Sequence, residues 1–171
     1  NSGNCTVANN LTMTFGRYTL NASLALDVDG SINLSSTFST LATNTGSTIT
    51  CAASFTSSGT VSGGATLTLD SATAANLKVT NVNLTLVVNK TAANNTVNQT
   101  GVVSVKNFTL TQGHYGTAPI AGVTSYALTS QNNVVIDTNS TFDANKATIT
   151  VPAVLTLSGT FNYDSSNVVF N

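Results

Sequence analysis

An antiparallel, all-β sandwich is the fold class that this sequence predicts, and three features predict it. The helix formers are missing: Glu is absent, Lys appears four times and Met once in 171 residues, against 31 Thr. β-branched side chains lose rotamer freedom in a helix and pack well on a pleated sheet. Apolar and polar residues alternate over short stretches, the signature of strands with one buried side. Turn signals separate about ten such stretches at the spacing of a sandwich. One-sided alternation also favours antiparallel sheets, which tolerate a wet face, over a doubly covered parallel sheet.

The elements follow in order. Leu11, Met13 and Phe15 form the first stripe, and Ala22, Leu24, Leu26 and Val28 the second, closing at Asp29-Gly30. Ile49, Cys51, Ala53 and Phe55 make a third, and Ala65, Leu67 and Leu69 a fourth. A longer run from Leu77 to Val88 sets Val82, Leu84, Leu86 and Val88 on one face, opposite Asn83. Gly101 to Leu110 follows, with Phe108 and Leu110 opposed to Asn107, and then a turn-like segment from Gln112 to Gly116. Shorter pieces surround Tyr126, Val134-Ile136 and Ile149-Val151. The last strand carries Leu155, Leu157, Phe161 and Tyr163 on its apolar side. No repeat of 20–45 residues is apparent, and no Pro/Gly-rich linker marks a second domain.

Composition narrows the function classes. Eleven residues are charged, 6% of the chain, where roughly a quarter is usual. A net charge of -1 gives no footprint for nucleic acid or an anionic membrane. No apolar run approaches the ~18 residues of a membrane span. Disorder is disfavoured because 41% of the chain is hydrophobic and the pattern is periodic.

A surface so poor in charge has little self-repulsion. Either attached sugar keeps it in water or it exists to assemble. Ten Asn-x-Ser/Thr sequons offer the first route: Asn4, Asn10, Asn21, Asn33, Asn83, Asn89, Asn94, Asn98, Asn107 and Asn139. Composition alone would yield about six, so the excess is modest. The chain opens at Asn1 with no signal-like segment, which reads as a mature form after signal removal. Cys5 and Cys51, an even pair, suit an oxidising compartment and a disulfide, with two buried thiols as the alternative. These features place the chain outside the cell.

Catalytic chemistry is sparse, and the chain reads as a non-enzyme without cofactor or metal. His114 is the only histidine, and in Gly-His-Tyr-Gly it reads as an exposed turn residue. Asp27-Val28-Asp29-Gly30-Ser31 resembles the opening of a calcium loop, but the closing Glu of such loops is absent, so a hairpin turn is expected. A Lys–Asn crosslink at Lys78, Lys90, Lys106 or Lys146 would need a buried carboxylate beside it.

Cys5, Phe15-Gly16-Arg17-Tyr18 and Gly46-Ser47-Thr48-Ile49-Thr50-Cys51 together resemble the opening of bacterial type 1-like pilins and spore coat U domains. The match covers the first third of the chain. Dense sequons, scarce charge and abundant Thr, Asn and Ser resemble surface proteins of thermoacidophilic archaea. The combination is similar to the subunits of archaeal threads, the Sulfolobus-type extracellular filaments. That resemblance implies a pilin-like or immunoglobulin-like sandwich completed by a donor strand from a neighbouring subunit.

On it, residues 1–20 would form an extended donor tail, with Leu11, Met13 and Phe15 filling pockets, and 21–171 the sandwich head. The C-terminal stretch from Val154 to Phe170 is the alternative donor, and the Cys5–Cys51 bond lies within or between subunits accordingly. The expected function is a structural subunit of a glycosylated surface filament, polymerised head to tail and serving adhesion or biofilm. Its partners would be identical subunits and attached N-glycans, with no nucleic acid and no membrane span. A monomeric secreted glycoprotein, such as a carbohydrate-binding or S-layer domain, is the other reading; the absence of Trp disfavours a sugar platform.

Overall fold

The computed structural model describes residues 3–118 and 125–171; Asn1, on which the expectation of a processed N-terminus rests, lies outside them. The described residues form strands and turns with no helix, as an all-β chain should. The expected antiparallel sandwich is wrong. Every strand pairing is parallel, and the chain winds into a β-solenoid of about seven turns.

Register makes the winding explicit. On the first face an inward column runs Cys5, Leu26, Ile49, Leu67, Leu86, Phe108, Val134, Leu155. Two residues further along each strand, a second runs Val7, Val28, Cys51, Leu69, Val88, Leu110, Ile136, Leu157. These columns define eight stacked rungs, and successive members are 21, 23, 18, 19, 22, 26 and 21 residues apart. At the ~4.8 Å spacing of hydrogen-bonded strands the stack is roughly 34 Å from first rung to last.

Two further faces complete each turn. The second begins with strands Leu11–Met13, Ile32–Leu34 and Phe55–Ser57 and continues into Ala75–Asn89, where Leu77 stacks on Phe55. The third begins with Gly16–Leu20, Ser39–Thr43 and Thr60–Ser62. It continues as the column Val79, Val103, Leu128, Ile149, Val168. Asn81 links the two parts by donating its side-chain amide to the Gly63 carbonyl at 2.8 Å.

The physical reason for the difference is that alternation reports one dry side and says nothing of strand direction. The inside of a closed column is dry and its outside wet, so a parallel coil produces the same pattern as an antiparallel sheet. A turn-length repeat is therefore present after all, as Leu-x-Leu-like pairs, but corner segments of variable length scatter it over 18–26 residues. Asp29-Gly30 is accordingly a corner between parallel strands, and Asp29 donates its backbone N–H to the Val7 carbonyl of the rung below at 2.9 Å. Corners also use the left-handed region. Gly63 has φ +84, and a Cβ there would run into the Thr43 carbonyl of the preceding rung.

Long strands bend through corners as well. Strand Ala75–Asn89 shifts register between Asn81 and Thr85, which turns both Val82 and Asn83 outward before Leu84 points in again. Val82, expected on the apolar side, is 49% exposed.

The donor-strand arrangement is overturned along with the sandwich. Leu11 and Met13 are not on a detached arm: they stack on Ile32 and Leu34 within the first rung. Phe15, the third expected pocket-filler, is exposed on the corner beyond them. Residues 3–20 therefore belong to the same column as the rest, with Leu11 N–H bonded to the Ser31 carbonyl at 2.8 Å. The C-terminal alternative fares the same way, because Leu155 and Leu157 stack on Val134 and Ile136.

Candidate functional site

Inside the column the middle rungs are dry. Leu26, Leu67, Leu69, Leu84, Leu86, Phe108 and Leu110, all expected in the core, are buried. Phe108, Tyr115, Phe142 and Phe161 form an aromatic cluster; Tyr115 stacks on Phe142 at 5.2 Å between centroids and Phe142 on Phe161 at 5.3 Å.

Three titratable groups are enclosed with them. Tyr115 donates its hydroxyl to Gln99 Oε1 at 2.9 Å, and Gln99 in turn donates to the Ala127 carbonyl at 2.7 Å. Burial pushes the Tyr115 phenol upward. Burial also pushes the Cys51 thiol up, and its S–H donates towards the carbonyls of Gly30 and Ser54 at 3.3 Å, which favours the protonated form. Lys90 lies fully inside a corner and donates from Nζ to the Ala52 carbonyl at 3.4 Å. Burial pulls its ammonium pKa down, and Asp70 and Cys51 oppose that only in part.

Cys5 and Cys51 are free thiols. They belong to different inward columns and sit two rungs apart, since Cys5 stacks on Leu26 and Cys51 on Val28. An axial offset of ~10 Å exceeds the reach of a disulfide, for which Cα atoms must approach within ~7 Å. Cys51 is also fully buried, so a Cys5 from another molecule has no path to it without opening the column. Neither version of the Cys5–Cys51 bond fits this architecture.

All ten sequon asparagines lie at the surface. Asn4, Asn10, Asn21, Asn83, Asn89, Asn94 and Asn139 are exposed and Asn33, Asn98 and Asn107 half-buried. Several engage the next rung through the side chain: Asn4 Oδ1 accepts from Ala25 N–H at 2.9 Å and Asn10 Oδ1 from Ser31 N–H at 2.7 Å. Asn107 faces outward on the first face and donates to Thr85 Oγ1 at 3.2 Å. The outward column beside it reads Thr6, Asp27, Thr50, Thr68, Val87, Thr109, Val135, Thr156, with Asp27 its one charge.

His114 is not a lone turn residue. Its Nε2 bonds Asp143 Oδ2 at 2.5 Å, and Asp143 Oδ1 accepts from Asn162 Nδ2 at 2.6 Å. This polar chain ties the last three rungs together along the second face. Among the described residues no group of three or more His, Cys, Asp or Glu comes together to hold a metal. A shallow polar depression of about 390 Å³ lies between Thr45, Gly64, Thr66, Asn83 and Lys106.

The most distinctive surfaces are the two ends. Apart from Leu24, the partly buried apolar side chains packed against the core all come from the first or last rung: Cys5, Val7, Leu11, Met13 and Tyr18 at one end, Leu155, Phe161 and Val168 at the other. Leu157, expected to be inward and buried, does point inward but is 48% exposed, because no further strand of the described residues covers it. Sequence reasoning missed these ends because alternation marks a residue as inward without saying whether another strand covers it.

Comparison with protein-family models, curated proteins and solved structures returned no significant match.

Proposed function

We propose that the chain is a structural subunit of an extracellular, glycosylated surface filament built by head-to-tail association of identical copies. The observation that carries this reading is a column whose apolar interior reaches both ends without a polar cap among the described residues. Solenoids left uncapped associate, because a terminal rung with a polar outer face is what keeps such a column soluble. The joint is heterologous, so repetition gives an open fibre. Ten surface sequons would supply, once glycosylated, the solubility that eleven charges cannot, and they support a place outside the cell. The interior positions of Tyr115, Cys51 and Lys90 give each a packing role. Attachment or biofilm formation is the task such a fibre would serve.

Electron microscopy and light scattering of the glycosylated chain test the proposal. Unbranched fibres, with mass spectrometry placing glycan on most of the ten sequons, are the expected result. A monodisperse species at the mass of one 17.4 kDa chain plus its sugar overturns it.

A further inference from the structure

Resting on the filament reading, we infer how the copies join: the C-terminal rung of one molecule docks on the N-terminal rung of the next, continuing the parallel ladders across the junction. The occupant of each open edge is thus a second copy of this chain.

Four features select that occupant. Each rung offers its neighbours the same backbone pattern, so the edge at Val154–Leu157 presents what every internal rung presents to the one above it. Extending the columns sets Leu155 against Cys5 and Leu157 against Val7, apolar on apolar at both inward positions of the first face. On the third face it brings Val168 to the edge that carries Tyr18. Cys5, Val7, Tyr18, Leu155 and Val168 are partly buried in the single chain, and Leu157 is exposed.

Direction is selected next. In a head-to-tail joint all three faces meet their own kind with strands parallel. In a joint between two like ends the path runs backwards, so the first faces can pair only if the second face lies over the third.

Charge and sugar leave the way open. Sheet edges are commonly guarded by Lys, Pro or a bulge. The three strands of the last rung contain none of these residues. Between positions 3 and 24 the only charge is Arg17, and between 148 and 171 the only charge is Asp164, a pair of opposite sign. No sequon occurs after Asn139, and Asn4 and Asn10 turn their side chains to Ala25 and Ser31 of the second rung, away from the open edge.

Cys5 provides the test. Because Leu155 shares its column, Leu155→Cys places a thiol one rung from Cys5 of the next copy, ~4.8 Å away and inside the disulfide window. Thr156→Cys, whose column partner is Thr6, serves as the control. Filaments of each variant are air-oxidised and run on a denaturing gel without reductant. The expected result is a ladder of multimers for Leu155→Cys alone, collapsing to one band with reductant.

Filaments that form without such a ladder overturn the joint and leave the filament reading standing. A product that stops at the dimer means like ends meet, and also overturns it. A chain that stays monomeric, its edges covered by other means, overturns both. Fibre diffraction from the unmodified chain needs no variant. A strong axial reflection near ~4.8 Å with a subunit repeat of ~38 Å is expected for eight rungs per copy. A subunit repeat incommensurate with the rung spacing rejects the joint.

Discussion

Tyr115 illustrates how one polar atom inside the column sets its chemistry. The phenol is fully enclosed, and its hydroxyl has Gln99 as acceptor. Removing that hydroxyl leaves Gln99 Oε1 without this donor, which costs about 1–3 kcal/mol for a buried acceptor. Tyr115→Phe is therefore expected to destabilise the chain at neutral pH, by a lower midpoint in urea. At alkaline pH a second effect opposes this one. Burial raises the folded-state pKa, so the stability linked to Tyr115 is fully present below the unfolded value of about 10 and is lost as pH climbs above it. The variant has no such proton to lose. Its deficit relative to the native chain should shrink above about pH 10, by up to ~1.4 kcal/mol per pH unit for one proton. An unchanged deficit across that range would mean the phenol ionises as freely in the fold as outside it.

Corners are the elements where sequence reasoning did worst, and Lys90 shows why. Strand interiors were legible because Leu67-Thr68-Leu69 alternates whichever way its neighbour runs. Corner residues obey no period: nothing in the local pattern marks Lys90 as interior, yet it is buried against Ala52, two rungs away. Only the stacking of rungs reveals that the Ala52 carbonyl also accepts from the Ser71 hydroxyl, so it keeps a donor if Lys90 is lost. Replacing the buried ammonium by an apolar side chain of similar length should then remove a desolvation cost without orphaning its acceptor. Burial lowers the folded pKa of Lys90, so the unfolded chain binds more protons between that lowered value and about 10.5, and the penalty fades as pH rises through this window. Lys90→Met is expected to stabilise the chain at neutral pH, with the advantage gone by about pH 10.5 in denaturant titrations at both values. Loss of stability at neutral pH would show instead that the ammonium anchors the corner.

At the scale of the whole molecule the column is one-dimensional, and each rung leans mainly on the rungs beside it. The all-β class was legible in Thr, Val and the absent Glu, but the topology was not. Cys5 and Leu155 are 150 positions apart and nothing local marks them as members of one column. The short motifs around Phe15-Gly16-Arg17-Tyr18 pointed to a sandwich, yet those residues coil into the first rung, where Tyr18 stacks on Leu41. A one-dimensional stack frays from its ends, since a terminal rung loses one neighbour's worth of burial. Backbone amides around Leu67 and Leu86 should thus exchange far more slowly in the single chain than those around Val7 and Leu157. Truncation should follow the same gradient: Leu67→Ala is expected to cost about 2–5 kcal/mol, whereas Leu157→Ala, already half in water, should cost less than half as much. The proposed polymerisation would remove the distinction, because every end rung would gain the neighbour it lacks. Hydrogen exchange on assembled filaments should therefore raise protection around Val7 and Leu157 towards that of the middle, and leave the amides at Leu67 unchanged. Protection that rises equally along the whole chain would point to lateral packing of columns, and protection that rises nowhere would leave the ends uncovered in the fibre.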